Sequence, residues 1–326
     1  MPTITQQDIG AIEQKVKAAH PPFALLRQEL QQVIVGQHEL LEGLVIGLLC
    51  NGHVLIEGVP GLAKTTAVST LAAALRTSFH RIQFTPDLLP SDLIGTMVYS
   101  PATHEFSVKK GPVFANIVLA DEINRASPKT QSALLEVMEE RRVTVDGVTH
   151  EVGEVFMVVA TQNPIEQAGT YRLPEAQLDR FIMKTSLGYP DHAATVNILA
   201  SRSARAVADV EPIVTADMVT KMAVLAEGIH VAPEVLDYIT RLTEATRSAP
   251  EVRLGVSVRG ALALTRAARV AAISAGRLFV TPDDVKDLAD AVFAHRLVLD
   301  AEAEFDGVTA TSVMSQILID TPVRQG

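Results

Sequence analysis

The chain has 326 residues, 48% of them hydrophobic and 20% charged, with a net charge of −10 and a single cysteine, Cys50. That length supports two domains with packed cores, and one cysteine excludes a disulfide framework; its apolar neighbourhood predicts a buried, unreactive thiol. The acidic balance, with no run of Lys and Arg, argues against nucleic acid as a partner, because nothing is in place to neutralise a phosphate backbone.

The first twenty residues, MPTITQQDIGAIEQKVKAAH, lack a cationic start followed by an apolar core, so they do not read as a secretory signal. The longest apolar run, Leu44 to Cys50, is far shorter than the roughly 20 residues needed to cross a bilayer. The expectation is a soluble cytoplasmic protein with no membrane insertion.

Leu41, Leu44, Val45, Leu48 and Leu49 recur at helical spacing and predict a core-facing helix that stops at Asn51-Gly52. An apolar run, His53 to Glu57, then leads into a glycine loop, and Lys64 to Arg76 has helical composition. Phe79–Phe84, Ile117–Ala120 and Phe156–Ala160 read as further strands, and Ser127-Pro128 opens a helix carrying Leu134, Leu135 and Met138. Strands alternating with helices predict a mainly parallel sheet covered on both faces. Two hairpins interrupt this rhythm: one around Pro-Ala-Thr-His between Val98–Ser100 and Glu105–Val108, the other at Asp146-Gly147, a dipeptide suited to positive φ. After Tyr189-Pro190 the segments are Ala-rich and helical, with Thr281-Pro282-Asp283-Asp284 as a capped helix start. The reading is an α/β core over residues 1–189, its first helices within 1–50, and an all-helical lid over 190–326.

Three stretches carry chemistry. The first, Gly58-Val59-Pro60-Gly61-Leu62-Ala63-Lys64-Thr65, nearly fits the phosphate-binding pattern G-x-x-x-x-G-K-[ST], with Ala63 in place of the last glycine. Backbone N–H groups there and at Thr66 would cradle phosphates, Lys64 would reach the β- and γ-phosphates, and Thr65 would ligate Mg²⁺. The same stretch alone also reads as a glycine-rich turn with an exposed lysine. The second, Asn116 to Glu122, is an apolar strand ending in two carboxylates, where open α/β sheets place their ligands. Asp121 would hold metal-bound water and Glu122 would act as general base. In the third, Asn163 of Ala160-Thr161-Gln162-Asn163-Pro164 can hydrogen-bond the attacking water or the γ-phosphate, although Asn-Pro is also a common turn opener.

With these motifs in order, the sequence resembles the AAA+ ATPases, and closely their MoxR branch. "GVPGLAKT", "LADEINRA", "ATQNPIEQAGTYRLPEAQLDRF" and the upstream "VIVGQ" carry the match, which spans about residues 24–300. The resemblance implies a P-loop core with a five-stranded, mainly parallel sheet, two inserted β-hairpins and a helical lid. It makes Ala63 a family feature and adds Val35 and Gly36 to the ATP-binding residues. It assigns Asp121 and Thr65 to the magnesium ion, Glu122 to catalysis, Asn163 to sensor 1, Arg180 to an arginine finger acting in trans, and Arg259 to the lid arginine called sensor 2. Val258 replaces the proline common in the family's Ser-Pro-Arg lid motif, and Arg172 departs from Thr-Tyr-Pro-Leu-Pro. Arg125 fits either a role across a subunit boundary or a structural salt bridge. The two hairpins, flanked by Lys109-Lys110 and Arg141-Arg142, fit either substrate contact or solvated ribbons with gatekeeping charges.

The implied function is a Mg²⁺-dependent, ATP-hydrolysing ring, a homo-oligomer expected to be hexameric, with chaperone-like action on a von Willebrand factor A domain protein or another protein substrate. A nucleotide-gated binding module with little turnover, a DNA-acting relative and a magnesium-chelatase-like motor subunit are the competing readings.

Overall fold

The computed structural model describes residues 6–58, 64–102, 104–163, 169–189, 192–193, 195–196 and 207–324. Two helices, α1 (Gln6–Val33) and α2 (His38–Leu49), precede the first strand. Helix α2 stops where expected, with Asn51 at φ 51°. The sheet has five parallel strands in the order β2 (Phe79–Gln83), β5 (Ile117–Asp121), β8 (Met157–Gln162), β1 (Val54–Gly58) and β9 (Met183–Leu187).

Alternation along the central strands divides the protein's interior in two. Val54, Ile56, Ile117, Leu119, Met157 and Val159 face one way, into a core shared with α1, α2 and α3 (Lys64–Ala74). Leu55, Val118, Ala120, Val158 and Ala160 face the other, against α5 (Pro128–Glu140) and the hairpin strand residues Val143 and Val145. Burial on both faces explains why these strands read as nearly continuous apolar runs. Strand β9 is the exception. Met183, Thr185 and Leu187 point inward while Lys184 and Ser186 do not, so this edge strand carries only a period-two pattern and no apolar run.

Both hairpins form. After α4 (Pro90–Ile94), β3 (Gly95–Ser100) pairs with β4 (Glu105–Lys110), and β6 (Arg142–Val145) pairs with β7 (Val148–Glu151) through Asp146 and Gly147, both at positive φ. A short helix, α6 (Glu175–Leu178), precedes β9.

Among its described residues the lid contains α7 (Ala216–Glu227), α8 (Pro233–Ser248), α9 (Val258–Ser274), α10 (Pro282–Phe293), α11 (Ala301–Phe305) and α12 (Ala310–Asp320). Its helix starts match the sequence signals. Ser257 accepts a hydrogen bond from the N–H of Gly260, so the start of α9 is capped without a proline at Val258. Thr281 and Asp284 form the reciprocal capping box at α10. The all-helical reading needs one correction: Val252–Leu254 pairs antiparallel with Val298–Leu299 in a small ribbon. It escapes a sequence search because two- and three-residue strands carry no detectable period. The apolar core continues from α1 and α2 into the lid through Val219, Met222, Leu264 and Ala268.

Candidate nucleotide site

The site grows from the C-terminal ends of β1, β5 and β8, which lie side by side. Strand β1 ends at Gly58, where a Cβ would approach the carbonyl oxygen of Leu187 to 2.8 Å, so only glycine lets the two strand ends lie this close. Val59, Pro60, Gly61, Leu62 and Ala63 lie outside the described residues. Immediately beyond them, Lys64 opens α3; its ammonium donates to the Gly58 carbonyl at 2.5 Å and is almost wholly buried. Burial lowers the Lys64 pKa, while attraction from Asp121 and Glu122 opposes that shift, so lysine and acids share one electrostatic site. Thr65 and Thr66 follow in the first turn, half-buried.

At the end of β5, Asp121 and Glu122 are held differently. One Asp121 oxygen accepts from the Thr161 hydroxyl at 2.7 Å, and the other accepts from the Arg81 guanidinium at 2.6 and 3.2 Å. Glu122 has φ 56°, in the left-handed region that a non-glycine residue enters at a cost. That turn is supported by its own N–H donating to Thr161 Oγ1 at 2.9 Å, and its carboxylate accepts from Gln83 at 2.7 Å and Arg125 at 3.0 Å. Thr161 thus bridges both acids from β8. Two residues on, Asn163 is buried at the end of β8, the strand between β5 and β1.

Gln131, fully buried on α5, donates its side-chain amide to the carbonyls of Ile123, Ala126 and Tyr171 and so fixes the loop behind the acids. Gly36, at φ 74°, turns the chain between α1 and α2, with half-buried Val35 beside it. The next residue, Gln37, donates to the Gly188 carbonyl at 3.1 Å, which brings this turn to the end of β9 and hence beside Gly58.

The donor set fits magnesium. A threonine hydroxyl and one carboxylate are hard oxygen donors, and Mg²⁺ commonly takes one or two protein oxygens plus phosphate and water. Thr65 and Asp121 are the residues that would hold it. The pairing of Arg125 with Glu122 favours the structural reading of that arginine.

Arg180 and Arg259 are not brought to this site. Arg180 lies just before β9, with Nε 3.4 Å from Glu139, and Arg259 sits in the first turn of α9, with Nη2 3.9 Å from the same glutamate. Both line a cavity of about 410 Å³ together with Asn51, Gly52 and His53, at the N-terminal end of β1. Lys64 and the acids stand at the opposite ends of the strands. A five-residue strand spans roughly 16 Å, so both arginines stand about a strand's length from Lys64 and the acids.

Arg81, Gln83, Gln131 and Thr161 are contributors that the sequence reading missed. Arg81 and Gln83 alternate on β2, but the signal becomes readable only once the register places Gln83 opposite Asp121.

Residues 53–183 match the ATPase family associated with various cellular activities (AAA), and residues 244–317 match the AAA lid domain. The chain is 43% identical to the Chaperone MoxR1 of Mycobacterium tuberculosis, over 89% of this chain and 79% of that one. It is 42% identical to YeaC, an uncharacterised protein of Bacillus subtilis, over 94% and 97%, and 32% identical to Protein MoxR of Paracoccus denitrificans, over 86% and 89%. A solved chain from Cytophaga hutchinsonii, described as a putative ATPase, superposes with a TM-score of 0.90 at 40% identity, covering 98% of this chain and 99% of that one. Among the described residues no helix is long and apolar enough to cross a membrane. The motifs, the sheet order and these relatives agree: the chain belongs to the MoxR family of AAA+ ATPases.

Proposed function

We propose that the protein is a magnesium-dependent ATP hydrolase that works as a ring and remodels or matures partner proteins. The observation that carries the hydrolytic reading is the Thr161 bridge, which fixes Asp121 and Glu122 in distinct orientations within the field of Lys64. Glu122 takes the proton of the attacking water as general base, and Asn163 orients that water. Lys64 and the loop N–H groups bind the β- and γ-phosphates. Magnesium, when bound, neutralises charge that develops on the phosphate oxygens.

The cavity that holds Arg180 and Arg259 supports the ring. Arg180 and Arg259 share one cavity a strand's length from the acids, and cations so placed act on phosphates only when a neighbouring subunit presents them. A heterologous interface that closes gives such a ring; a hexamer is the stoichiometry proposed. The chaperone role extends the name of the Mycobacterium tuberculosis relative to this chain. A protein bearing a von Willebrand factor A domain is the proposed partner, on family resemblance alone, and the cytoplasm the proposed location.

One observation favours a second reading, a nucleotide-gated binding module. The Glu122 carboxylate is engaged by Gln83 and Arg125, an arrangement in which the base is held back. Phosphate release by wild type and Glu122→Gln, with ATP binding measured alongside, separates the two. Hydrolysis predicts unchanged binding and a loss of about 10²–10⁴-fold in turnover, the usual contribution of a general base. Equal, negligible turnover in both proteins would favour the gated module and end the hydrolytic proposal.

A further inference from the structure

Arg296 follows α10 in a short helical turn, and only 3% of its side chain is exposed. Most of its guanidinium contacts go to the segment that carries Arg180. Nε donates to Asp179 Oδ1 at 2.7 Å; Nη2 donates to the carbonyls of Asp179 at 3.3 Å and Phe181 at 2.8 Å; Nη1 donates to that of Ile182 at 3.3 Å and to that of Val292 in α10, and lies 2.8 Å from His295 Nε2. The backbone on both sides of Arg180 is therefore gripped by one lid residue.

The same guanidinium is coupled to Arg259. The second carboxylate oxygen of Asp179 lies 3.9 Å from Arg259 Nε. Gly260, next to Arg259, leaves the room that Arg296 needs: a Cβ there would stand 3.0 Å from Arg296 Cδ and 2.5 Å from Val256 Cγ1. Burial lowers the pKa of Arg296 while Asp179 holds it up, and the guanidinium stays charged.

We infer that Arg296 is the positioning residue of the arginine pair: from inside the lid it fixes residues 179–182, so that Arg180 and Arg259 meet a neighbour's triphosphate in one geometry. This rests on the reading above that the pair acts across the subunit boundary. Its chemistry is that of a planar fork. Four hydrogen bonds, to three carbonyl oxygens and one carboxylate, hold the loop more rigidly than a lysine ammonium, a compact point charge on a flexible stem. Lid and finger then move as one body.

A buried arginine that merely stabilised the fold would impair its own subunit. A positioning residue for a finger impairs the next one, and subunit mixing reads that difference. Arg296→Gln and Glu122→Gln are each prepared as the full chain and mixed in equal amounts with ATP and magnesium. Each alone is expected to turn over at least tenfold more slowly than wild type, with KM for ATP in Arg296→Gln within about twofold, because its own phosphate loop is untouched. In the mixture, intact Arg296→Gln sites meet intact Glu122→Gln fingers at about a quarter of random boundaries, so activity should rise to that fraction of wild type. Arg296→Lys should recover part of the loss.

A parallel mixture of Arg180→Ala with Glu122→Gln separates the two claims. If that mixture recovers and the Arg296 mixture does not, Arg296 has no positioning role and the inference falls. If neither recovers, the trans reading itself fails and this inference fails with it. Should Arg296→Gln not fold, Asp179→Asn, which removes the charged anchor and keeps the packing, takes its place: recovery in its mixture supports the inference, and no recovery beside a recovering Arg180→Ala mixture overturns it.

Discussion

At the scale of single residues, the acids depend on Thr161 more than on their own sequence. Its buried hydroxyl donates to Asp121 and accepts from the N–H of Glu122, whose positive φ needs that support. Thr161→Val preserves shape and removes both bonds, leaving a part-buried N–H without its acceptor. The expected cost is about 1–3 kcal/mol of stability. Turnover should fall more than tenfold with ATP affinity within about threefold, since small misplacements of a base are expensive and Lys64 is untouched. Isothermal binding with steady-state phosphate release tests this; unchanged turnover in a folded variant would remove Thr161 from the site. The acids themselves were legible as two carboxylates ending an apolar strand. Their holders were not, because Arg81, Gln83 and Thr161 belong to flanking strands and register between strands is not written in any one of them.

At the scale of elements, His53 shows what links the strands to the helix behind them. Its Nδ1 accepts from the N–H of Val158 at 2.9 Å, so its Nε2 carries the proton shared with the Met138 carbonyl at 3.1 Å. Neutral His53 therefore ties β1 to β8 and α5. Burial drives its pKa down from 6.5 to about 4. The folded state refuses a proton that the unfolded chain accepts, so this contribution is complete above pH 6.5 and is lost as the pH falls towards 4. The loss approaches ~3 kcal/mol for that interval. His295, also buried, is pushed in the same direction by burial and by Arg296, and adds to the acid sensitivity. Thermal unfolding between pH 7 and 4 should show a steep fall for wild type and a shallower one for His53→Gln. Parallel curves would mean that His53 does not titrate with unfolding. Elements with strong local signals, such as the Asp146-Gly147 hairpin and the Thr281 capping box, were readable because turn and cap chemistry is local. Strand β9 was not: Lys184 and Ser186 dilute its pattern, and its place at the sheet edge beside β1 is set by pairing between distant segments.

At the scale of the whole molecule, the two sets of candidate residues stand at opposite ends of the parallel sheet. Lys64, Asp121, Glu122 and Asn163 gather where the strands end, and Arg180 with Arg259 where β1 and β9 begin. No sequence spacing reveals this, because Arg180 and Asn163 are near in the chain and far apart across the sheet. The lid shares its apolar core with α1 and α2, which favours retention of this separation as subunits associate. A chain with divided chemistry should work only in company. Turnover per subunit should therefore rise steeply with protein concentration and level off once rings are complete. The dilute limit should fall by about 10³-fold or more, the scale of losing an arginine finger. High salt should shift the rise to higher concentration if charge steers the boundary, since in the proposed ring the arginine cavity would meet an anionic nucleotide. Sedimentation measured alongside phosphate release decides the matter. A per-subunit rate that stays constant through full dissociation would show that one chain completes its own site, and that Arg180 and Arg259 serve something other than the neighbour's phosphates.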